Sequence, residues 1–229
     1  MAYTTVLFDF DHTLLDSDAS EVAAYRQTLS NQGVANPARY FARYKQINAG
    51  LWAAVERGEL LPGDVRSRRF ELFVAELGLA ADPHVMADDF AAGLGANGDL
   101  YPGARQVLER MAVLATLAMI TNGLSEVQRA RIERLDLEAY FDTVVISAEV
   151  GCTKPGCEIF DITFEQLDHP ARETVLMVGD SLSSDIRGGA NYGLATCWYN
   201  PDGKTSGPDD QVTHEIASLG ELLGLLPPS

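Results

Sequence analysis

The chain has few cysteines and no long hydrophobic run. Its three cysteines, Cys152, Cys157 and Cys197, are an odd number, which argues against a disulfide framework and predicts free thiols. The longest apolar stretch, 111–120, is far shorter than the roughly 20 residues of a membrane span. The start of the chain lacks basic residues and Asp9 interrupts the apolar run there, so we expect no signal peptide. These features predict a soluble, cytoplasmic protein with no membrane partner.

Basic residues are also scarce. The 17 lysines and arginines stand against 33 acidic residues, which leaves a formal net charge of −16. Such a chain has no diffuse basic surface for a nucleic-acid polymer or an anionic membrane. An anionic substrate would therefore have to be attracted locally, by a metal ion, a few basic side chains or helix N-termini.

Short apolar runs alternate with helical periodicity in most of the chain. This alternation predicts a parallel sheet with helices on both faces, a Rossmann-like doubly wound α/β core. The predicted strands are 6–8, 114–120, 143–146, 174–178 and 194–198. The predicted helices are 104–111, a segment beginning near Ser125, 158–167 and 184–192.

The segment 17–98 differs because it contains no convincing strand. Apolar stripes with helical spacing run from Tyr40 to Leu51 and from Phe70 to Leu77. Pro37, Pro62 and Pro83 mark helix boundaries within it. We therefore predict an all-helical domain, 17–98, inserted into an α/β core made of 1–16 and 99–229.

Two aspartates, Asp9 and Asp11, follow the first predicted strand. Carboxylates two residues apart at a strand end can project to the same side of the sheet, where ligands bind in open α/β folds. Two such charges repel each other unless one carboxylate is protonated or a cation lies between them, and a hard divalent ion such as Mg²⁺ is the natural solution. On its own, such a pair is more often solvated or caps a helix.

Three further polar groups come directly after a predicted strand or before a predicted helix. Thr121 and Asn122 offer a hydroxyl and an amide, Lys154 offers a positive charge, and Asp180 and Asp185 add two carboxylates. Each has an ordinary structural interpretation as a turn, cap or solvated residue. The fold would nevertheless gather all of them at one edge of the sheet.

In this order the groups resemble the four motifs of the haloacid dehalogenase superfamily, and the resemblance covers nearly the whole chain. It implies that Asp9 is a nucleophile and Asp11 a general acid/base, with Thr121, Asn122 and Lys154 binding phosphate. It also implies a Mg²⁺ site. The implied ligands are Asp9, the backbone carbonyl of Asp11, Asp180 and Asp185. Asp185 either contacts the ion directly or supports the other ligands.

The resemblance implies a phosphatase that works through an aspartyl-phosphate. The dehalogenase branch lacks an aspartate at the position of Asp11, so this residue favours phosphoryl transfer. His12 receives no catalytic role, because that position contributes mainly a backbone amide in the family.

The inserted region is similar to the helical cap of the subgroup that contains pyrimidine 5′-nucleotidases. That similarity implies nucleoside monophosphates as substrates and makes Asn48, Trp52 and Arg69 candidates for contacting the leaving group. The ordinary alternatives are that Trp52 belongs to the core of the cap and that the arginines form salt bridges.

Alternative functions remain open at the level of the sequence. The partner is expected to be a small phosphate monoester, which includes phosphoglycolate or a sugar phosphate. A phosphosugar mutase and a non-enzymatic, phospho-accepting domain are further alternatives. The oligomeric state is not predicted.

Overall fold

The computed structural model describes residues 3–226 and contains one six-stranded parallel sheet. Residues 1–2 and 227–229, at the outer ends of the predicted core, lie outside the described residues. The spatial order of the strands is β3-β2-β1-β4-β5-β6, and every neighbouring pair is parallel. This order confirms the predicted Rossmann-like α/β class. The strands are β1 (Thr5–Phe8), β2 (Thr116–Thr121), β3 (Thr143–Ile146), β4 (Val175–Gly179), β5 (Ala195–Tyr199) and β6 (His214–Ile216).

Alternating side chains give the sheet two buried faces. Val6 and Phe8 of β1 pack into one apolar cluster, whereas Leu7 between them packs into another on the opposite face. Because helices cover both faces, side chains on both sides of the central strands are apolar, and these strands are continuous apolar runs in the sequence. The same apolar runs carry no information about which strands are neighbours.

Except for one four-residue helix, Ser147–Val150, which was not predicted, the core helices lie close to the positions that the sequence predicts. They are α5 (Ala104–Met111), α6 (Ser125–Arg134), α7 (Ser147–Val150), α8 (Cys157–Gln166) and α9 (Arg187–Asn191). The predicted helix 184–192 is divided into a wider helical turn, Leu182–Ile186, and the short α9. Strand β6 was not predicted, because its three residues are too few to show a pattern.

Four helices follow β1 before the chain returns to the core. They are α1 (Ser17–Asn31), α2 (Phe41–Glu56), α3 (Pro62–Leu77) and α4 (Pro83–Ala96). Their apolar stripes form a cluster of their own, in which Tyr25, Tyr44, Phe70 and Phe73 are fully buried. We propose on this basis that 17–98 is a separate helical domain, and we call it the cap.

The two chain segments that join cap and core lie side by side. The backbone N–H of Asp16 donates to the carbonyl of Asp99 at 2.9 Å, and that of Tyr101 donates to Leu14 at 2.8 Å. Paired connections of this kind fix where the cap is attached, at the same end of β1 as Asp9. No helix within residues 3–226 is long and apolar enough to cross a membrane.

Candidate active site

Three carboxylates converge at the carboxyl edge of the sheet. Asp9 directly follows β1, and its backbone N–H donates to the carbonyl of Val178 on the neighbouring β4 at 2.9 Å. Asp180 directly follows β4, and Asp185 lies in the helical turn after it. One oxygen atom from each of the three carboxylates lies within 4.8 Å of the other two. The strand order reverses between β1 and β4, which is where open α/β folds bind ligands.

Lys154 lies beside Asp9 and Asp185 of this group and is fully buried. Its Nζ atom donates to Asp9 Oδ1 and contacts Asp185 Oδ1, both at 2.7 Å, and donates to the Ile120 carbonyl at 2.7 Å. The Asn122 side chain fixes the Lys154 backbone, because its Oδ1 accepts from the Lys154 N–H at 3.0 Å and its Nδ2 donates to the carbonyl at 2.8 Å. The ammonium group is therefore held rigidly between two carboxylates.

Gly179, the last residue of β4, allows the Asp185 side chain to fold back over the strand. A Cβ atom at position 179 would lie 2.2 Å from Asp185 Oδ2, a distance at which two atoms cannot coexist. With glycine there, Oδ2 accepts a hydrogen bond from the Ser181 backbone N–H at 3.0 Å. The glycine is needed for this close approach.

The negative charge of this group exceeds what one lysine balances. Burial and the neighbouring Asp185 raise the pKa of Asp9 well above its usual value, although Lys154 opposes the shift. Burial and Asp185 also raise the pKa of Asp180 to about 7. Oxygen-only donors with excess negative charge suit a hard divalent cation, so these side chains fit a magnesium ion.

The Asp11 side chain takes no part in the carboxylate group and turns towards α6. Its Oδ1 accepts from Arg131 at 2.8 Å and from the Ser17 hydroxyl, and its Oδ2 accepts from Gln128 Nε2 at 2.6 Å. Burial alone would raise the pKa of Asp11, but the Arg131 charge and the hydrogen bonds from Ser17 and Gln128 hold it below its usual value. Only its backbone carbonyl remains as the predicted metal ligand.

Arg131 also contacts the cap. Its Nε donates to the Leu94 carbonyl on α4 at 2.9 Å, and its Nη2 donates to the Ser20 hydroxyl on α1 at 2.8 Å. The side chain is nearly inaccessible, with 3% of the residue exposed. One guanidinium therefore binds Asp11 and two cap helices at once.

Thr121 and Asn122 lie where the sequence predicts, after β2, but both already have partners. Thr121 is fully buried, and its hydroxyl oxygen accepts from Gln128 Nε2 at 2.8 Å, which leaves the hydroxyl proton free to donate. Asn122 uses its oxygen and one N–H on Lys154. For a phosphate, each of the two residues retains one donor.

A cleft of about 380 Å³ separates the carboxyl edge of the sheet from the cap. Asp9, Asp11, Asp180 and Asp185 line its core wall, together with Asn122. The cap forms the other wall, which includes the three candidate residues Asn48, Trp52 and Arg69 and also Phe90. Trp52 also packs against the cap core, and its contact with a leaving group stays a prediction.

The chain is similar to proteins of a known family. The family model described as "haloacid dehalogenase-like hydrolase" matches residues 3–193. The chain belongs to this family. Among its relatives, the pyrimidine 5′-nucleotidase YjjG of Escherichia coli is 35% identical, with 99% of each chain covered. The pyrimidine 5′-nucleotidase PynA of Streptococcus pneumoniae is 34% identical, with 99% of this chain and 96% of the relative covered.

A solved structure supports the same assignment. The crystal structure of the haloacid dehalogenase-type hydrolase YfnB from Bacillus subtilis aligns with a TM-score of 0.91 at 35% identity and covers 100% of both chains. That structure is described as bound to magnesium and as revealing interdomain movement. The hydrolase fold therefore extends over the whole of the described chain.

Three side chains of this hydrolase site were not identified from the sequence. Gln128 and Arg131 hold Asp11, and the Thr13 hydroxyl donates to Asp9 Oδ2 while accepting from the Asp180 N–H, both at 3.1 Å. The spacing of Gln128 and Arg131 puts both on one face of α6, but nothing in the sequence distinguishes Arg131 from the neighbouring Arg129. His12, which received no catalytic role, lines the cleft with a left-handed backbone at φ 61°.

Proposed function

We propose that the protein is a Mg²⁺-dependent phosphatase that hydrolyses small phosphate monoesters, with pyrimidine nucleoside 5′-monophosphates as its substrates. The observation that carries this proposal is the convergence of Asp9, Asp180 and Asp185 at the floor of a cleft, with Lys154 paired to Asp9 and Asp185 behind it. The cleft volume of about 380 Å³ lies within the range of small-molecule sites, roughly 300–1,000 Å³.

The proposed ligands of the magnesium ion are Asp9, Asp180, Asp185 and the backbone carbonyl of Asp11. A bound Mg²⁺ would neutralise phosphate charge and orient the phosphoryl group. The ion also accounts for the local attraction that a chain of net charge −16 needs for an anionic substrate. Lys154 provides further positive charge beside Asp9.

Asp9 is the proposed nucleophile. Its two oxygens accept from Lys154 and Thr13, so the plane of the carboxylate is fixed before substrate arrives. In the first step an Asp9 oxygen forms a bond to phosphorus while the bond to the leaving oxygen breaks. Water then attacks the phosphorus of the aspartyl-phosphate, which releases inorganic phosphate and restores Asp9.

Asp11 is the proposed general acid/base. Before the first step its Oδ2 takes up a proton from solvent and gives up the hydrogen bond from Gln128, while Oδ1 stays on Arg131. It then gives this proton to the leaving oxygen, and in the second step it takes one from water.

Thr121 and Asn122, which each hold one free donor, are proposed to donate to the phosphate. The three N–H groups of Lys154 are directed at Asp9, Asp185 and the Ile120 carbonyl, so Lys154 is proposed to exchange its hydrogen bond to Asp9 for one to the phosphate bonded there.

Pyrimidine nucleotides are proposed because of the cap wall and the relatives. Trp52 and Phe90 offer aromatic surface, while Asn48 and Arg69 offer an amide and a guanidinium. The relatives YjjG and PynA, which match over nearly the full chain, are both pyrimidine 5′-nucleotidases. The base of a pyrimidine nucleotide is a neutral ring whose carbonyl and N–H groups can form hydrogen bonds with this amide and guanidinium.

The test is phosphate release from a substrate panel, with and without Mg²⁺. The panel contains pyrimidine and purine nucleoside monophosphates, phosphoglycolate and sugar phosphates. We expect Mg²⁺-dependent release that is fastest with pyrimidine nucleotides and is abolished in Asp9→Asn. The matched control is Asp99→Asn, because the Asp99 side chain is 93% exposed.

Other outcomes identify the alternatives. Fastest release from phosphoglycolate or a sugar phosphate would replace the nucleotidase by another small-metabolite phosphatase. Conversion of a phosphosugar without release of inorganic phosphate would indicate a mutase. Full activity in Asp9→Asn would show that Asp9 is not the nucleophile.

A further inference from the structure

Gln128, on α6, contacts two groups of the proposed reaction through one nitrogen atom. Its Nε2 donates to Asp11 Oδ2 at 2.6 Å and to the Thr121 hydroxyl oxygen at 2.8 Å. Only 1% of the residue is exposed, and it lines the cleft. An amide nitrogen carries two hydrogen atoms, so both are used, one on the proposed acid/base and one on a proposed phosphate ligand.

Arg131 fixes which way this amide points. Its Nη1 donates to Gln128 Oε1 at 3.1 Å. A guanidinium only donates, so the amide oxygen must face Arg131 and the amide nitrogen must face Asp11 and Thr121. The orientation is therefore set without Asp11, and the N–H on Thr121 stays in place when Asp11 gives up its own hydrogen bond.

The hydroxyl of Thr121, the last residue of β2, is fully buried. Among residues 3–226, its only hydrogen-bond partner is Gln128, and its oxygen is the acceptor of that bond. The hydroxyl proton therefore does not lie between the two residues and stays available for another acceptor. Buried donors are nearly always paired, so this proton lacks an acceptor that a bound phosphate would supply.

Gly123, in the turn after β2, makes room for the Gln128 side chain. A Cβ atom at position 123 would lie 2.8 Å from Gln128 Nε2 and 2.9 Å from its Cγ. The backbone of Gly123 is not left-handed, so space rather than conformation requires the glycine. The amide is therefore held by packing against this turn as well as by its hydrogen bonds.

We propose that Gln128 is a positioning residue, which turns the hydroxyl proton of Thr121 towards the phosphate. The inference rests on the proposed phosphatase function, but it does not depend on which phosphate monoester is the substrate. Thr121 donates to the phosphoryl group of substrate and product alike, so loss of this bond weakens the binding of both. Inorganic phosphate, the product, is therefore a sufficient probe.

The decisive variant is Gln128→Glu. A carboxyl oxygen in the place of Nε2 carries at most one proton, and the 2.6 Å contact with Asp11 uses it. The Thr121 hydroxyl must then donate to this oxygen and turns away from the phosphate. Losing one hydrogen bond to a charged group should raise the Kd for inorganic phosphate about 10- to 100-fold, measured by calorimetry in the presence of Mg²⁺.

Thr121→Val and Thr121→Ser provide matched backgrounds for this measurement. The charge that Gln128→Glu adds acts in every background and cancels in the comparison. In Thr121→Val, which has no hydroxyl to turn, the increase in Kd should be about tenfold smaller than in wild type. In Thr121→Ser, which keeps a hydroxyl, the full increase should return, and a merely structural role of Gln128 would not produce this difference.

Gly123→Ala tests the same contact without adding a charge. Its Cβ atom displaces the Gln128 amide, so the Kd for phosphate should rise about 3- to 10-fold, and much less when Thr121→Val is also present. This variant gives the answer should Gln128→Glu fail to fold. Gln27→Glu is the control, because the Gln27 amide donates to Asn31 on the exposed face of α1, and it should leave the Kd unchanged.

Two results would overturn the inference. One is an equal increase in Kd for Gln128→Glu in the wild-type and Thr121→Val backgrounds. The other is a folded Gln128→Glu or Gly123→Ala variant that binds phosphate as tightly as wild type. In both cases the wild-type protein would still release phosphate from its substrate, whereas failure of the proposed function is the absence of that release.

Discussion

The guanidinium of Arg131 lies 2.8 Å from Oδ1 of Asp11 and binds the cap helices α1 and α4 with its other N–H groups. The proposed general acid/base is thereby connected to the position of the cap. A displacement of the cap would remove two of the contacts that hold Arg131. We therefore expect Arg131 to affect turnover more than substrate binding.

Replacing Arg131 tests this connection. Arg131→Met should lower kcat about 100-fold, because Asp11 loses the contact that fixes its position and proton transfer typically contributes about 10²–10⁴-fold. KM should change much less. Arg129→Met is the control, because Arg129 lies on the same helix but pairs with Glu149 at 2.7 Å, away from Asp11. Equal losses of kcat in the two variants would contradict a specific role for Arg131.

Removing Lys154 should destabilise the fold as well as abolish activity. Lys154→Met leaves Asp9 and Asp185 buried without their shared cation, and breaking a buried ion pair costs about 3–5 kcal/mol. The measurement is urea unfolding without Mg²⁺. Lys204→Met is the control, because its pair with Asp202 is exposed, and we expect a change below about 1 kcal/mol. A Lys154 variant as stable as this control would show that the ion pairs contribute nothing to stability.

Magnesium affinity should rise with pH. Burial and Asp185 raise the pKa of Asp180 to about 7, so the folded, metal-free protein retains a proton that the unfolded chain has already released. The stability of the metal-free protein should therefore fall as pH rises from about 4 to about 7. Bound Mg²⁺ replaces the proton, so it should bind more tightly, and raise the melting temperature more, at about pH 8 than at about pH 6.

Calorimetric titration with Mg²⁺ measures the same coupling directly. At about pH 6, binding should release protons, seen as a heat that depends on the ionisation enthalpy of the buffer. Chelation of the metal should reverse the stabilisation. A Mg²⁺ affinity independent of pH in this range would show that no group with a raised pKa takes part.

Substituting glycines should have opposite effects at two positions. Gly179→Ala would put a Cβ atom 2.2 Å from Asp185 Oδ2, so we expect a loss of about 1–3 kcal/mol and weaker Mg²⁺ binding. Gly50, within α2, has no atom within 4 Å of such a Cβ. Gly50→Ala should therefore stabilise the protein by about 0.5–1 kcal/mol, because alanine favours the helix. Both changes are measured by urea unfolding, and a neutral Gly179→Ala would contradict the close approach.

Local patterns in the sequence were sufficient to predict most of the elements. Alternation of short apolar runs with helical stripes placed five strands within about two residues of their observed ends, and prolines marked the starts of α3 and α4. Strand β6 was missed, since three residues carry no periodicity. The wider helical turn at Leu182–Ile186 was also missed, because the close approach of Asp185 to Gly179 there is not visible in the spacing of apolar residues.

The sequence by itself determined which residue types stand at the ends of the strands, because strand ends and turns are local features. It therefore predicted Asp9, Asp11, Lys154, Asp180 and Asp185 as one group. Only the tertiary structure decided which of several similar side chains reach that group. Because α6 packs against the cap, Arg131 contacts both Asp11 and the cap, whereas Arg129 does not. The contacts among α1, α2 and α3 leave Asn48 Oδ1 and Arg69 Nε buried without a hydrogen bond. Such choices depend on distances between helices, which residue spacing along the chain does not contain.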